Sequence, residues 1–454
     1  MKKYRFLSLL LLIPMMASLL ALPAAALETP DPFCTHAILI DANYDEVLYE
    51  KKAYEKAYPA SITKVMTALL VLEAIEAGDL SADTMVTAGD TLRQNLVDGG
   101  STANIKVGET LSVEELLYCL LLPSANEAAN VLAVAVDGSI EAFVDHMNRR
   151  AGELGCSGTH FANPHGLHND DHYTTAYDIS RFMLAALEHD LFRTIISTAS
   201  HTVPPTNLSD ERLFYNTNGL ISNLYYWGYT YDKCIGGKTG STDEAGRCLV
   251  SAAESGDDFL VCVVLGSGPM EVAGYSSPRQ GQFTQSSMLL QWGFDNFERI
   301  TITQGSDPVD KVAVTLSRDA DEVMVRPQGS ITRTLPKDLD LEAIETEINL
   351  FAHKVEAPVE EGQVMGTMKL SYGGEVYGVL DLVAVTSVER SELLYKKQQF
   401  IQFFQRSEVR IAIVVAVVLI VAVLLKVFVF RKKRRYHSSS AGRGGRRNYR
   451  GSRR

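Results

Sequence analysis

Apolar and polar positions along this 454-residue chain change their period several times, and each change marks a boundary. Lys2, Lys3 and Arg5 precede an apolar run from Phe6 to Leu22, which closes on Ala24-Ala25-Ala26. A basic start, an apolar middle and a small-x-small end predict a secretory signal peptide over residues 1–26. Ala37 to Ile40 and Glu46 to Tyr49 flank Asn43-Tyr44-Asp45, the pattern of an opening β-hairpin. From Ser61 the positions Val65, Met66, Ala68, Leu69, Leu70 and Leu72 leave no polar face before Gly78. A helix apolar nearly all round belongs in the middle of a domain, and the glycine is its expected stop. Ser112 and Glu115 form a capping box ahead of Leu116 to Leu122, and a second helix is predicted from Asn126 to Val136. Arg247 to Ala253 and Phe259 to Leu265 are strand-like runs joined by the turn Glu254-Ser255-Gly256-Asp257. Helices packed on such an antiparallel sheet give an α/β (α+β) domain of two or three layers, expected over 27–298.

From 299 to 388 the pattern shifts to short alternating segments, such as Val312 to Leu316 and Val376 to Leu380, which predict a small all-β domain. Residues 389–410 read as a juxtamembrane connector whose Phe400, Ile401, Phe403 and Phe404 skim the lipid surface. Ile411 to Phe430 is apolar except for Lys426, and 20 residues at about 1.5 Å each span roughly one hydrocarbon core. Lys426 lies within a turn of its end and can snorkel to the headgroups. Arg431-Lys432-Lys433-Arg434-Arg435 follows, so residues 431–454 are expected in the cytoplasm and everything upstream outside.

Charge sharpens this division. The net charge of -12 hides three basic residues in the signal and twelve from Lys426 onward, with no acid in either. Without those fifteen, 28 basic residues face 55 acidic ones, a net of -27 for the exported part. Such a surface repels nucleic acid. The basic tail, placed just after a span, suits anionic lipid and topology. Cys34, Cys119, Cys156, Cys234, Cys248 and Cys262 are too few for a disulfide framework in a chain this long, and none is spaced for zinc. Cys248 and Cys262 are expected to face each other across the hairpin as free thiols.

The candidate chemistry lies in three short motifs in fixed order: Ser61-Ile62-Thr63-Lys64, Ser124-Ala125-Asn126 and Lys238-Thr239-Gly240. Three residues on a helix bring Lys64 over Ser61. Burial beside Lys238 depresses the Lys64 pKa, so the amine serves as a base for a serine nucleophile. Ser124 is placed to relay a proton, and the Asn126 amide to hold a substrate backbone. Lys238 and Thr239 offer a charge and a hydroxyl to a free carboxylate, while Gly237 and Gly240 let an extended substrate lie against the strand. Lys238-Thr239 lacks the upstream glycine of a phosphate loop, since Asp232 stands there. His160, His165, His168 and His172 cluster without helical ligand spacing, so they read as a structural loop lining the cleft, with no metal and no cofactor.

Together with Asn163-Pro164-His165-Gly166-Leu167, these motifs resemble the penicillin-recognising serine acyl-transferases, and within them the S11 D-alanyl-D-alanine carboxypeptidases, the low-molecular-mass penicillin-binding proteins. The resemblance runs from about Phe33 to Val388. It implies a serine β-lactamase/penicillin-binding-protein-like fold and removal of the terminal D-alanine from peptidoglycan stem peptides through a Ser61 acyl-enzyme. It also implies inhibition by β-lactam antibiotics and an oxyanion hole from the backbone N–H groups of Ser61 and Ser241. Members more often end in an amphipathic helix than in a true span. Two other readings stay open at this stage. A β-lactamase of class A needs a Glu-x-x-Leu-Asn loop, and no such string occurs. A catalytically quiet sensor or wall-binding scaffold fits poorly with intact Ser61, Lys64, Ser124, Asn126 and Lys238.

Overall fold

The computed structural model describes residues 29–272 and 274–435. The expected signal peptide and the tail beyond Arg435 lie outside them. The described residues form two compact units, 29–301 with 332–341 and 302–331 with 342–435.

In the first unit, β1 (His36–Asp41) and β2 (Glu46–Lys51) form the opening hairpin. β3 (Cys234–Thr242), β4 (Gly246–Ser255) and β5 (Asp258–Ser267) complete an antiparallel sheet in the order β2-β1-β5-β4-β3, which leaves β3 at an edge. Successive residues of β1 face opposite layers. Ile38 and Ile40 join a core with α1 (Lys64–Ala77), whereas Ala37 and Leu39 pack with Leu289, Leu290 and Phe294 of the helix Gly281–Asn296. The domain therefore has three layers, with the sheet between helices.

Every residue of α1 from Lys64 to Leu72 is buried, and Gly78 ends it in the left-handed conformation, as its apolar pattern predicts. Ser112 caps the helix α2 (Val113–Leu121) by accepting from the Glu115 N–H at 3.2 Å. The reciprocal half of the capping box is missing, because the Glu115 carboxylate pairs with His201 at 2.9 Å. Cys248 and Cys262 do not meet: Cys248 pairs in register with Gly240 and Cys262 with Ser251. Their side chains enter opposite cores, and all six cysteines are free.

The second unit is a six-stranded sheet with Val312, Val325, Met368 and Leu382 in its core. It is followed by the helices Glu392–Gln405 and Ser407–Arg435, which break at Arg406. Ser407–Val429 is long and apolar enough to cross a membrane.

Candidate active site

Ser61 stands on one 3-10 turn, Ala60–Thr63, that leads into α1. The expected α-helical start at Ser61 is thus replaced by a tighter turn, entered through Ala60 at φ +46°. Gly166 lets the loop 163–167 close over that turn. At φ +87° a Cβ on Gly166 would stand 1.9 Å from the Ala60 carbonyl oxygen. Two carbonyls fasten the same loop to α1: Thr67 Oγ1 donates to Pro164 O at 2.6 Å and Lys64 Nζ to His165 O at 2.6 Å.

Lys64 is fully buried. Its Nζ lies 3.0 Å from Ser61 Oγ and 2.8 Å from Asn126 Oδ1. Burial holds its pKa well below the ordinary lysine value, Lys238 lowers it further, and Glu127 opposes both. Lys238 is also buried, donates to the Thr239 carbonyl at 2.9 Å, and is brought down by burial to about 7.

Ser124 adopts φ +65°, and its buried Oγ makes no hydrogen bond among the described residues. Asn126 opens the helix α3 (Asn126–Asp137). Neither side chain caps that helix, whose N-cap is Ala125. Thr239 Oγ1 lies 2.7 Å from Thr217 Oγ1, a partner with no sequence signal. Gly240 makes room for the serine turn, since a Cβ there would meet Pro59 O at 2.8 Å and Ser61 N at 3.1 Å. Ser241 follows it and is the exposed residue of this edge strand. Gly237 has a different cause from the one its sequence suggests. Its Cβ would stand 2.1 Å from Val250 O, so the neighbouring strand, rather than a substrate, demands glycine.

The histidines divide. His172 Nδ1 accepts the Ala162 N–H at 3.0 Å, which puts the ring proton on Nε2, 2.8 Å from Thr63 Oγ1. Thr63 Oγ1 in turn donates to Ala60 O at 2.8 Å. His165 is buried within the Asn163–Leu167 turn, and burial takes both rings down to about 3. His160 and His168 remain at the surface.

A D-alanyl-D-alanine carboxypeptidase family model matches residues 24–268, and the model of the C-terminal domain of penicillin-binding protein 5 matches 297–390. The chain belongs to the S11 D-alanyl-D-alanine carboxypeptidases. It is 30% identical over 371 residues to the D-alanyl-D-alanine carboxypeptidase DacF of Bacillus subtilis, covering 82% of this chain and 88% of the relative. To DacC of Escherichia coli it is 30% identical over 384 residues, covering 82% and 89%. The structure of penicillin-binding protein 5 from Haemophilus influenzae superposes with a TM-score of 0.61 at 26% identity, covering 80% of this chain and 99% of that one. Membership of this carboxypeptidase family accounts for the fold and for the second, β-rich unit together. Three pairings in this carboxypeptidase were not legible in the sequence: Thr217 with Thr239, His172 with Thr63, and Glu127 with Thr102 and Ala103. Of these, only Glu127 adjoins a motif, one residue after Asn126.

Proposed function

We propose that Ser61 is the acyl-ester nucleophile of a serine-type D-Ala-D-Ala carboxypeptidase and that Lys64 is its base. The observation that carries this is the 3.0 Å contact of a wholly buried Lys64 Nζ with Ser61 Oγ. A desolvated amine is neutral at far lower pH than a free lysine and can take the serine proton. Ser61 Oγ then bonds to the carbonyl carbon of the penultimate D-alanine. The developing oxyanion is held by the backbone N–H groups of Ser61 and Ser241. As the C–N bond breaks, Ser124 relays to the departing nitrogen the proton that Lys64 took from Ser61, so terminal D-alanine leaves as a neutral amine and Lys64 is again a free base. Water hydrolyses the ester and returns Ser61.

Asn126 holds the substrate backbone. Lys238 and Thr239 take the C-terminal carboxylate, and Gly240 keeps their strand against the serine turn. β-Lactams, which mimic the terminal dipeptide, acylate the same oxygen. In this reading residues 1–26 are the signal peptide, 27–298 the catalytic domain and 299–388 a spacer or docking module. Residues 389–410 connect to a single-pass span at 411–430, with the catalytic domain outside the cell and 431–454 in the cytoplasm. The apolar helix Ser407–Val429 and the basic run after it support the anchoring.

Incubation of the protein with a peptide ending in D-Ala-D-Ala should release D-alanine. Intact-mass analysis with a β-lactam should show one adduct that Ser61→Ala abolishes. An adduct that persists in Ser61→Ala would refute the assignment.

A further inference from the structure

The segment 219–231 leaves the sheet after Thr217, which touches Thr239, and returns just before Cys234, the first residue of β3. It closes at its neck, where the Tyr231 N–H donates to Leu220 O at 3.0 Å. Five of its thirteen residues are aromatic and none is charged. The aromatics divide between two tasks. Tyr226 and Tyr229 turn inward, each with its ring centroid 5.2 Å from that of Phe283, and pack the loop onto the helix Gly281–Asn296. Leu224, Tyr225 and Trp227 turn outward: the first two are more than half exposed, and Trp227 is 81% exposed.

The outward set is held in place. Gly228, at φ +80°, donates its N–H to Asn223 Oδ1 at 2.6 Å, and its carbonyl accepts from Arg279. The Arg279 guanidinium stands 3.7 Å from the Tyr229 ring centroid and 4.2 Å from that of Tyr275. The Gln280 N–H donates to the Tyr229 hydroxyl at 2.7 Å. Apolar side chains grouped in water on a loop built to hold them mark an interaction surface. Because the loop is fixed beforehand, little ordering entropy is lost when a partner binds.

We infer that Leu224, Tyr225 and Trp227 form a platform for the uncharged glycan strand of peptidoglycan, outside the peptide cleft. The occupant rests on the carboxypeptidase reading above, whose substrate is a peptide carried on that polymer. In that reading the terminal carboxylate ends the peptide at Lys238 and Thr239. From Lys238 back to Cys234 β3 covers roughly 13 Å at ~3.3 Å per residue, away from Gly240 and the serine turn. The stem peptide being cut does not reach the loop, whereas the polymer around it does. Charge selects the same partner. An uncharged segment on an exported part of net -27 (28 basic against 55 acidic residues) draws neither an anionic polymer nor an anionic membrane. Sugar rings carry C–H groups on their faces and polar groups at their rims. Tyr and Trp match them, with an apolar ring and one O–H or N–H at its edge.

The test uses the full-length protein in detergent with two substrates, a free pentapeptide ending in D-Ala-D-Ala and uncrosslinked peptidoglycan strands that carry it. Trp227→Ala and Tyr225→Ala should each raise KM for D-alanine release from the strands by about two- to tenfold, the range of one aromatic contact. The kcat/KM for the free peptide should stay at the wild-type value. A neutral N-acetylglucosamine tetramer should shift the tryptophan emission of the wild type. Trp292→Phe, which leaves Trp227 as the one tryptophan of the chain, should keep that shift. Unchanged KM for the strands, or equal losses on strands and free peptide, would overturn the platform. So would an emission already blue-shifted in detergent that the tetramer does not move, which would assign the loop to a lipid surface. If the wild type releases no D-alanine from either substrate, the carboxypeptidase reading fails and the platform falls with it.

Discussion

His172 holds Thr63, with Nε2 at 2.8 Å from Thr63 Oγ1, and Thr63 stands in the chain between the proposed nucleophile Ser61 and its base Lys64. The same hydroxyl donates to Ala60 O, so one imidazole supports the left-handed residue that precedes Ser61. This support needs a neutral ring whose Nδ1 is an acceptor.

That requirement makes stability depend on pH. His165 and His172 are lowered by burial from 6.5 to about 3, so between those values the unfolded chain binds protons that the folded chain does not. Stability is unaffected by these groups above about pH 6.5 and falls as pH drops below it, by up to about 1.4 kcal/mol per unit for each ring. Thermal denaturation from pH 7 to 4 should show a falling Tm, with a shallower slope in His172→Gln. An unchanged slope in that variant would mean His172 is not held neutral.

Lys64→Arg keeps the charge yet cannot release a proton in the working range. Acylation by a β-lactam should fall by about 10²-fold or more, measured by stopped-flow or gel fluorescence. Near-normal acylation would transfer the role of base to Lys238, whose own pKa is brought to about 7.

Charge recognition at Lys238 can be separated from proton transfer by the substrate. An amidated D-Ala-D-Ala peptide leaves the buried ammonium unpaired, at a cost of about 2–5 kcal/mol. Lys238→Gln should therefore cut kcat/KM strongly for the free acid and only slightly for the amide. Equal losses on the two would place Lys238 in the proton relay with Ser124.

Gly166→Ala tests the closure over the serine turn. A methyl group 1.9 Å from Ala60 O, at φ +87°, must displace either the turn or the loop. Acylation should drop at least tenfold, with a lowered Tm, whereas Gly155→Ala, also at positive φ but with nothing within 4 Å, should strain only its own backbone. Normal acylation in Gly166→Ala would show that the contact does not set the nucleophile.

Glu127→Ala should cost about 1–3 kcal/mol by leaving the buried Ala103 N–H without its acceptor. Denaturant unfolding measures this directly. A midpoint equal to wild type would mean that water or a rearranged loop replaces the carboxylate.

Local pattern alone determined a good part of this protein. The hairpin at Ala37 to Tyr49, the all-apolar helix stopped by Gly78, the apolar C-terminal helix and the order of the three motifs depend on period and residue chemistry within short windows. The depressed Lys64 pKa was legible for the same reason, because an apolar helix around a lysine implies desolvation. Tertiary structure decided what meets what. Asn126, rather than Ser124, touches Lys64 across 62 residues, and His165 O reaches it across 101. The pairing of Thr217 with Thr239, the cause of Gly237 and the separation of Cys248 from Cys262 follow from strand register and loop closure. A shift of one residue in register moves a side chain to the other face, and nothing in the local sequence carries that information.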